Sequence, residues 1–98
     1  MVNRYRKGRI AEKKVMNYLK KKGYTNIRRS KGSRGPADIY ARKGNTKYYI
    51  QVKSGTAKMS SKERRRLRRL AIKRKGVAVV IHRTEKGKYK WRFYGRWK

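Results

Sequence analysis

Cysteine is absent from the chain, and histidine, phenylalanine and proline each occur once in its 98 residues. Without thiols there is neither a disulfide frame nor a thiolate metal site, and the redox compartment leaves no mark on the sequence. The single histidine, His82, cannot build an imidazole metal site alone; at the end of an apolar run it reads as a satisfied strand-end residue. Long apolar runs are also missing. None approaches the roughly 18 residues of a membrane span, and the N-terminus lacks the apolar core of a signal peptide, so a cytoplasmic protein without a membrane segment is expected. Scarcest of all is negative charge: four acids stand against 34 lysines and arginines, a formal net charge of +30.

So few carboxylates neutralise only a small part of that charge, and the folded chain must repel itself unless a polyanion is present. Nucleic acid fits best, because each cation that meets a phosphate releases condensed counterions. The length bounds one domain, residues 1–98, with a modest core. Apolar periodicity persists through the charge, which separates the chain from a disordered basic tail.

Ala11, Val15, Tyr18 and Leu19, widened by Ile10, form one stripe of an amphipathic helix predicted from Gly8 to Lys22, with Gly23 as its stop. Tyr24–Arg29 reads as a short strand and Ser30–Pro36 as a loop. Ala37–Arg42 and Lys47–Lys53 are two strands joined by the turn Lys43-Gly44-Asn45-Thr46. Along the second, Tyr48, Ile50 and Val52 point one way and Tyr49, Gln51 and Lys53 the other. Ser60 and Glu63 make a capping box, which opens a helix running to about Lys75 and stopped by Gly76. Val77–His82 is a strand buried on both faces, and Glu85–Lys88 a turn. From Tyr89 on, Tyr89, Trp91 and Phe93 alternate with Lys90, Arg92 and Tyr94, a strand with one face in the core. The order is α-β-β-β-α-β-β, an α/β domain with no internal repeat or linker.

In so basic a chain each acid needs a reason. Asp38 opens a strand after a Gly-Pro turn, and a hairpin can bring the face that carries Gln51 and Lys53 beside it. Phosphodiester cleavage uses a divalent cation held by oxygen ligands, together with a positive group that orients water or stabilises developing charge. Asp38 supplies such an oxygen, and Lys53, two residues past a second oxygen ligand at Gln51, supplies the ammonium. On these residues alone a chance pairing of acid and lysine stays open. Glu12, between Arg9 and Lys13, reads as a solvated helix acid.

Arg6-Lys7-Gly8, Ala11-Glu12, Arg29-Ser30-Lys31-Gly32-Ser33, Asp38, Gln51-Val52-Lys53 and Lys90-Trp91-Arg92-Phe93 together resemble the archaeal Holliday junction resolvases, members of the restriction-endonuclease-like PD-(D/E)xK nucleases. The similarity covers nearly the whole chain in order. It implies a restriction-endonuclease-like fold, a small mixed central sheet flanked by helices, and a structure-selective DNA endonuclease that uses Mg2+ or Mn2+ on branched DNA or four-way junctions. It implies Glu12, Asp38 and Gln51 as metal-associated residues, Lys53 as catalytic lysine and Ser33 as a loop serine near the scissile phosphate. At position 51 the family carries glutamate, so an uncharged amide should weaken metal binding. The resemblance further implies a homodimer, for which Met59, Ile72 and Trp97 are uncommitted apolar residues.

Arg4, Arg6, Lys7, Arg9, Arg29, Lys31, Arg34, Lys58 and Lys62 are the cations expected to meet DNA, with Arg64–Arg69 as a second phosphate-binding face. The contrasting reading is a non-catalytic basic nucleic-acid-binding protein of ribosomal or chromatin type, or a nuclease fold that has lost its activity. Convergence of Glu12, Asp38 and Lys53 would separate the two.

Overall fold

The alternation of apolar side chains decides the layers. In the computed structural model, which describes residues 4–29, 37–55, 59–84 and 86–96, with side chains from residues 10 to 93 among these, two helices flank one five-stranded sheet. The elements are α1 (Arg4–Lys21), β1 (Thr25–Arg29), β2 (Ile39–Lys43), β3 (Thr46–Ser54), α2 (Ser61–Lys73), β4 (Val77–Arg83) and β5 (Tyr89–Arg96). This is the order α-β-β-β-α-β-β anticipated from the sequence. The strands lie in chain order across the sheet. All neighbours are antiparallel except β3 and β4, which are parallel and joined through α2.

One core lies under α1: Val15 and Leu19 pack on Ile39, Ile50, Val77, Val79 and Ile81, with Tyr48 and Val52 at its margin. The other lies under α2, where Leu67 and Ala71 meet Tyr49, Ala78 and Val80. The odd and even residues of β3 and β4 therefore serve opposite layers, as a pleated strand requires. Gln51 and Lys53 follow Tyr49 onto the α2 face.

Local chemistry explains the joints. The β2–β3 hairpin turns at Gly44 (φ 61), with Lys43 paired to Thr46. The Ser60 hydroxyl accepts from the Glu63 amide while the Glu63 carboxylate accepts from the Ser60 amide, closing the capping box. At the other end of α2 the left-handed residue is Lys75 (φ 57), not Gly76. Gly76 is required for a different reason: a Cβ there would lie 2.5 Å from Cε2 of Tyr49 and 2.7 Å from the Lys47 carbonyl. His82 donates from Nε2 to the Gly55 carbonyl at 2.6 Å, the satisfied strand-end role expected of it.

Three expectations need correction. α1 begins at Arg4, so Gly8 lies within the helix and does not start it. Ile10 does not widen the apolar stripe; it is 49% exposed. Phe93 does not share the core with Tyr89 and Trp91 but is 55% exposed. α1 lies over β1, β3 and β4 and reaches β5 through long side chains. Tyr18 stacks on Tyr89 with ring centroids 4.1 Å apart, and its hydroxyl accepts from Trp91 Nε1 at 2.9 Å. Phe93 lies at the margin of that aromatic cluster, its ring centroid 6.3 Å from that of Trp91. In the β4–β5 turn Thr84 bonds Lys88 and Gly87; Glu85 lies outside the described residues.

Candidate active site

The site begins with backbone pairing. Just before β2, the Asp38 amide donates to the Ile50 carbonyl at 2.8 Å, and Oδ2 of Asp38 accepts from the Val52 amide at 2.9 Å. The two bonds clamp the acid across the hairpin, beside the segment Gln51-Val52-Lys53. Asp38 is half-buried, and burial pushes its carboxyl above its ordinary pKa; the Val52 bond and the Lys53 charge oppose the rise, while the Glu63 charge adds to it. The Asp38 carboxylate is thus held at the residue next to Lys53 in β3.

Lys53 is half-buried and occupied: Nζ lies 2.8 Å from Oε2 of Glu63. The bond from Lys53 holds the Glu63 carboxyl below its usual range, against a smaller rise from burial and with help from Ser60. Glu63 has the capping role expected of it, and a second role that the sequence analysis does not anticipate. A usable signal was present, because the connection from the end of β3 to α2 is short and Glu63 is one of four acids. A parallel crossover that starts with a capping box delivers that acid near the last residues of β3.

Glu12 reaches from α1 to Arg29, with 3.4 Å between Oε1 and Nε. Arg29 pairs in register with Ile39, the residue after Asp38, so Glu12 addresses the same end of the sheet from the α1 layer. Gln51 is half-buried on the α2 face, in register with Val80. Its amide oxygen and the Asp38 carboxylate are hard donors suited to a hard cation. Among the described residues no group of three or more His, Cys, Asp or Glu gathers to hold a metal ion. Ser33, Lys31, Arg34 and Lys58 lie outside the described residues, as do the side chains of Arg4, Arg6, Lys7 and Arg9 on α1. Lys62 is exposed in the first turn of α2, and Arg64, Arg65, Arg66, Arg68 and Arg69 are exposed along it.

Away from Asp38 the α2 face of β2 carries Tyr40 and Arg42, and that of β3 carries Tyr49 and Lys47, by the same alternation. α2 lies over β3, β4 and β5, which leaves this corner open. A groove of about 540 Å³ results, lined by these four residues with Arg28 and Arg74 among others. Tyr40 and Tyr49 meet edge to face, with centroids 5.6 Å apart. Among the described residues, every ionisable one lining the groove is an arginine, lysine or tyrosine.

Comparison with known proteins adds three likenesses. A family model described as a PD-(D/E)XK superfamily domain matches residues 9–90. A UPF0102 protein of Kosmotoga olearia is 37% identical over 71 residues, covering 68% of this chain; the match spans 62% of that relative's length. In fold, the chain is similar to Hjc of Archaeoglobus fulgidus, described as a Holliday junction resolvase, with a TM-score of 0.74 at 24% identity over 86% of this chain and 74% of Hjc.

Proposed function

The chain belongs to the PD-(D/E)XK superfamily, and from that premise we propose that it is a metal-dependent, structure-selective DNA endonuclease that cuts branched DNA such as four-way junctions. The observation that carries this reading is the clamp of Asp38 against the strand that presents Lys53. One acid of four has been fixed beside a half-buried lysine at one end of the sheet, an arrangement a purely basic binder has no use for.

Asp38 and Gln51 would hold Mg2+ or Mn2+, with Glu12 as an associated acid from α1. The donor chemistry fits a hard cation: both groups offer oxygen, and the Asp38 carboxylate, partly desolvated, gains from a nearby positive charge. Position 51 brings no charge, so the affinity should be modest. When bound, the cation neutralises the phosphate and lowers the pKa of an attacking water. Lys53 contributes a positive charge aimed at the developing oxyanion. The cationic groove would carry a strand's phosphates away from the site, with Tyr40 and Tyr49 as its apolar floor. Arg64–Arg69 would face further phosphates and orient the duplex without reading sequence. Symmetric double cuts need two sites, which a homodimer supplies; exposed Ile72 is an apolar residue available for that contact, whereas Met59 is already packed under α2.

A second reading, a nucleic-acid binder with a nuclease's fold, is favoured by the uncharged Gln51. Cleavage separates the two. Purified protein with Mg2+ or Mn2+ is expected to nick four-way junctions, and Asp38→Ala to lower the rate by at least about 100-fold. Binding without metal-dependent cleavage establishes the second reading.

A further inference from the structure

We infer that Glu63 is the positioning residue for Lys53, supplying from α2 the fixed negative charge that the strand itself, with Gln51, does not carry. The inference rests on the nuclease reading and specifies how its lysine is held. Three observations support it. The two carboxylate oxygens of Glu63 are divided between tasks: Oε1 accepts from the Ser60 amide at 3.2 Å and Oε2 from Lys53 Nζ at 2.8 Å. A capping box needs only the first. The ion pair is made across ten residues of sequence and between two layers, although Arg66 stands three residues ahead on the same helix, within ordinary pairing distance. Finally, Asp38 is clamped through Oδ2 to the amide of Val52, the residue before Lys53, so a second acid is fixed on the same stretch of β3.

The pair of Lys53 and Glu63 solves a problem particular to this chain. An ammonium with a flexible four-carbon stem, surrounded by the charge of 33 other lysines and arginines, is driven toward solvent. A carboxylate fixed by a helix cap holds it in one place. The cap does the fixing, since the Ser60 amide locks the rotamer that aims Oε2 at Lys53.

The test compares Glu63→Gln with Ser60→Ala. Glutamine preserves the capping box but removes the charge that faces Lys53. Two readouts are taken: the rate of reductive methylation of Lys53 in metal-free protein, followed by peptide mass mapping, and cleavage of a four-way junction, resolved into kcat and KM. Glu63→Gln is expected to speed Lys53 methylation several-fold and to lower kcat by about 10- to 100-fold with KM little changed, the scale associated with a misplaced catalytic group. Its Tm at neutral pH should fall only modestly, by the lost ion pair, because the capping box is kept. Ser60→Ala should lower Tm yet leave Lys53 methylation slow. Unchanged Lys53 methylation and unchanged kcat in Glu63→Gln would overturn the inference and reduce Glu63 to a cap. If the parent protein itself does not cleave, the nuclease reading fails alone, because methylation reports on the Lys53–Glu63 pair without catalysis.

Discussion

Asp38 carries opposing demands. Its raised pKa means that the folded state binds a proton more tightly than the unfolded chain does. The associated stability is therefore full below the unfolded carboxylate pKa and lost as pH rises through the folded one. At neutral pH the charged Asp38 costs folding energy. Asp38→Asn keeps an acceptor for the Val52 amide without that charge, so it is expected to raise Tm at pH 7, with a smaller gain at pH 4, while abolishing cleavage. Thermal melts at the two pH values check this; a lower Tm at pH 7 would mean that the Val52 bond and the Lys53 charge outweigh burial. Glu63 has the opposite sign: its lowered pKa gives stability that is present above the unfolded value and lost as pH falls through the folded one. Gln51→Glu adds the missing charge and should tighten Mn2+ binding and raise metal-dependent cleavage by about tenfold, measured by calorimetry and junction assays. At this scale the sequence displayed Asp38, Gln51 and Lys53 because strand alternation and a hairpin fix their relations. It did not display Glu63 beside Lys53, since that contact depends on where α2 lands after leaving β3.

Between elements, the close approach of Gly76 to β3 is a sensitive joint. Gly76→Ala would drive a methyl group into Tyr49 and the Lys47 carbonyl, and about 1–3 kcal/mol of stability should be lost, read by denaturant titration. Substituting Ser60 by Ala removes one half of the capping box and should cost about 1 kcal/mol. The helices and strands were legible because their apolar residues repeat at 3.6 and 2. The ends were less so. Gly8 gave no sign that α1 starts at Arg4, and past α2, where Gly76 is the expected stop, the left-handed residue is Lys75. Phe93 matched the alternation of Tyr89 and Trp91, yet whether a strand face is covered depends on the helix above it, which periodicity along the strand does not encode.

For the whole molecule, a net charge of +30 makes the folded chain repel itself. Salt screens self-repulsion and should raise Tm, whereas it should weaken binding to DNA steeply. With about six phosphates contacted, affinity should fall about 10³-fold between roughly 50 and 200 mM salt. A flat dependence in a fluorescence-anisotropy series would argue against phosphate-dominated binding. The fold, the open cationic groove and the clamp of Asp38 beside Lys53 combine into one function only if the site cuts. The most direct measurement is single-turnover cleavage of a four-way DNA junction, against linear duplex, with Mg2+, with Mn2+ and with chelator. Metal-dependent nicking of the junction in preference to duplex, lost in Asp38→Ala, is the expected result. Tight junction binding with no cleavage at any metal or protein concentration, or cleavage unaffected by Asp38→Ala, would contradict it.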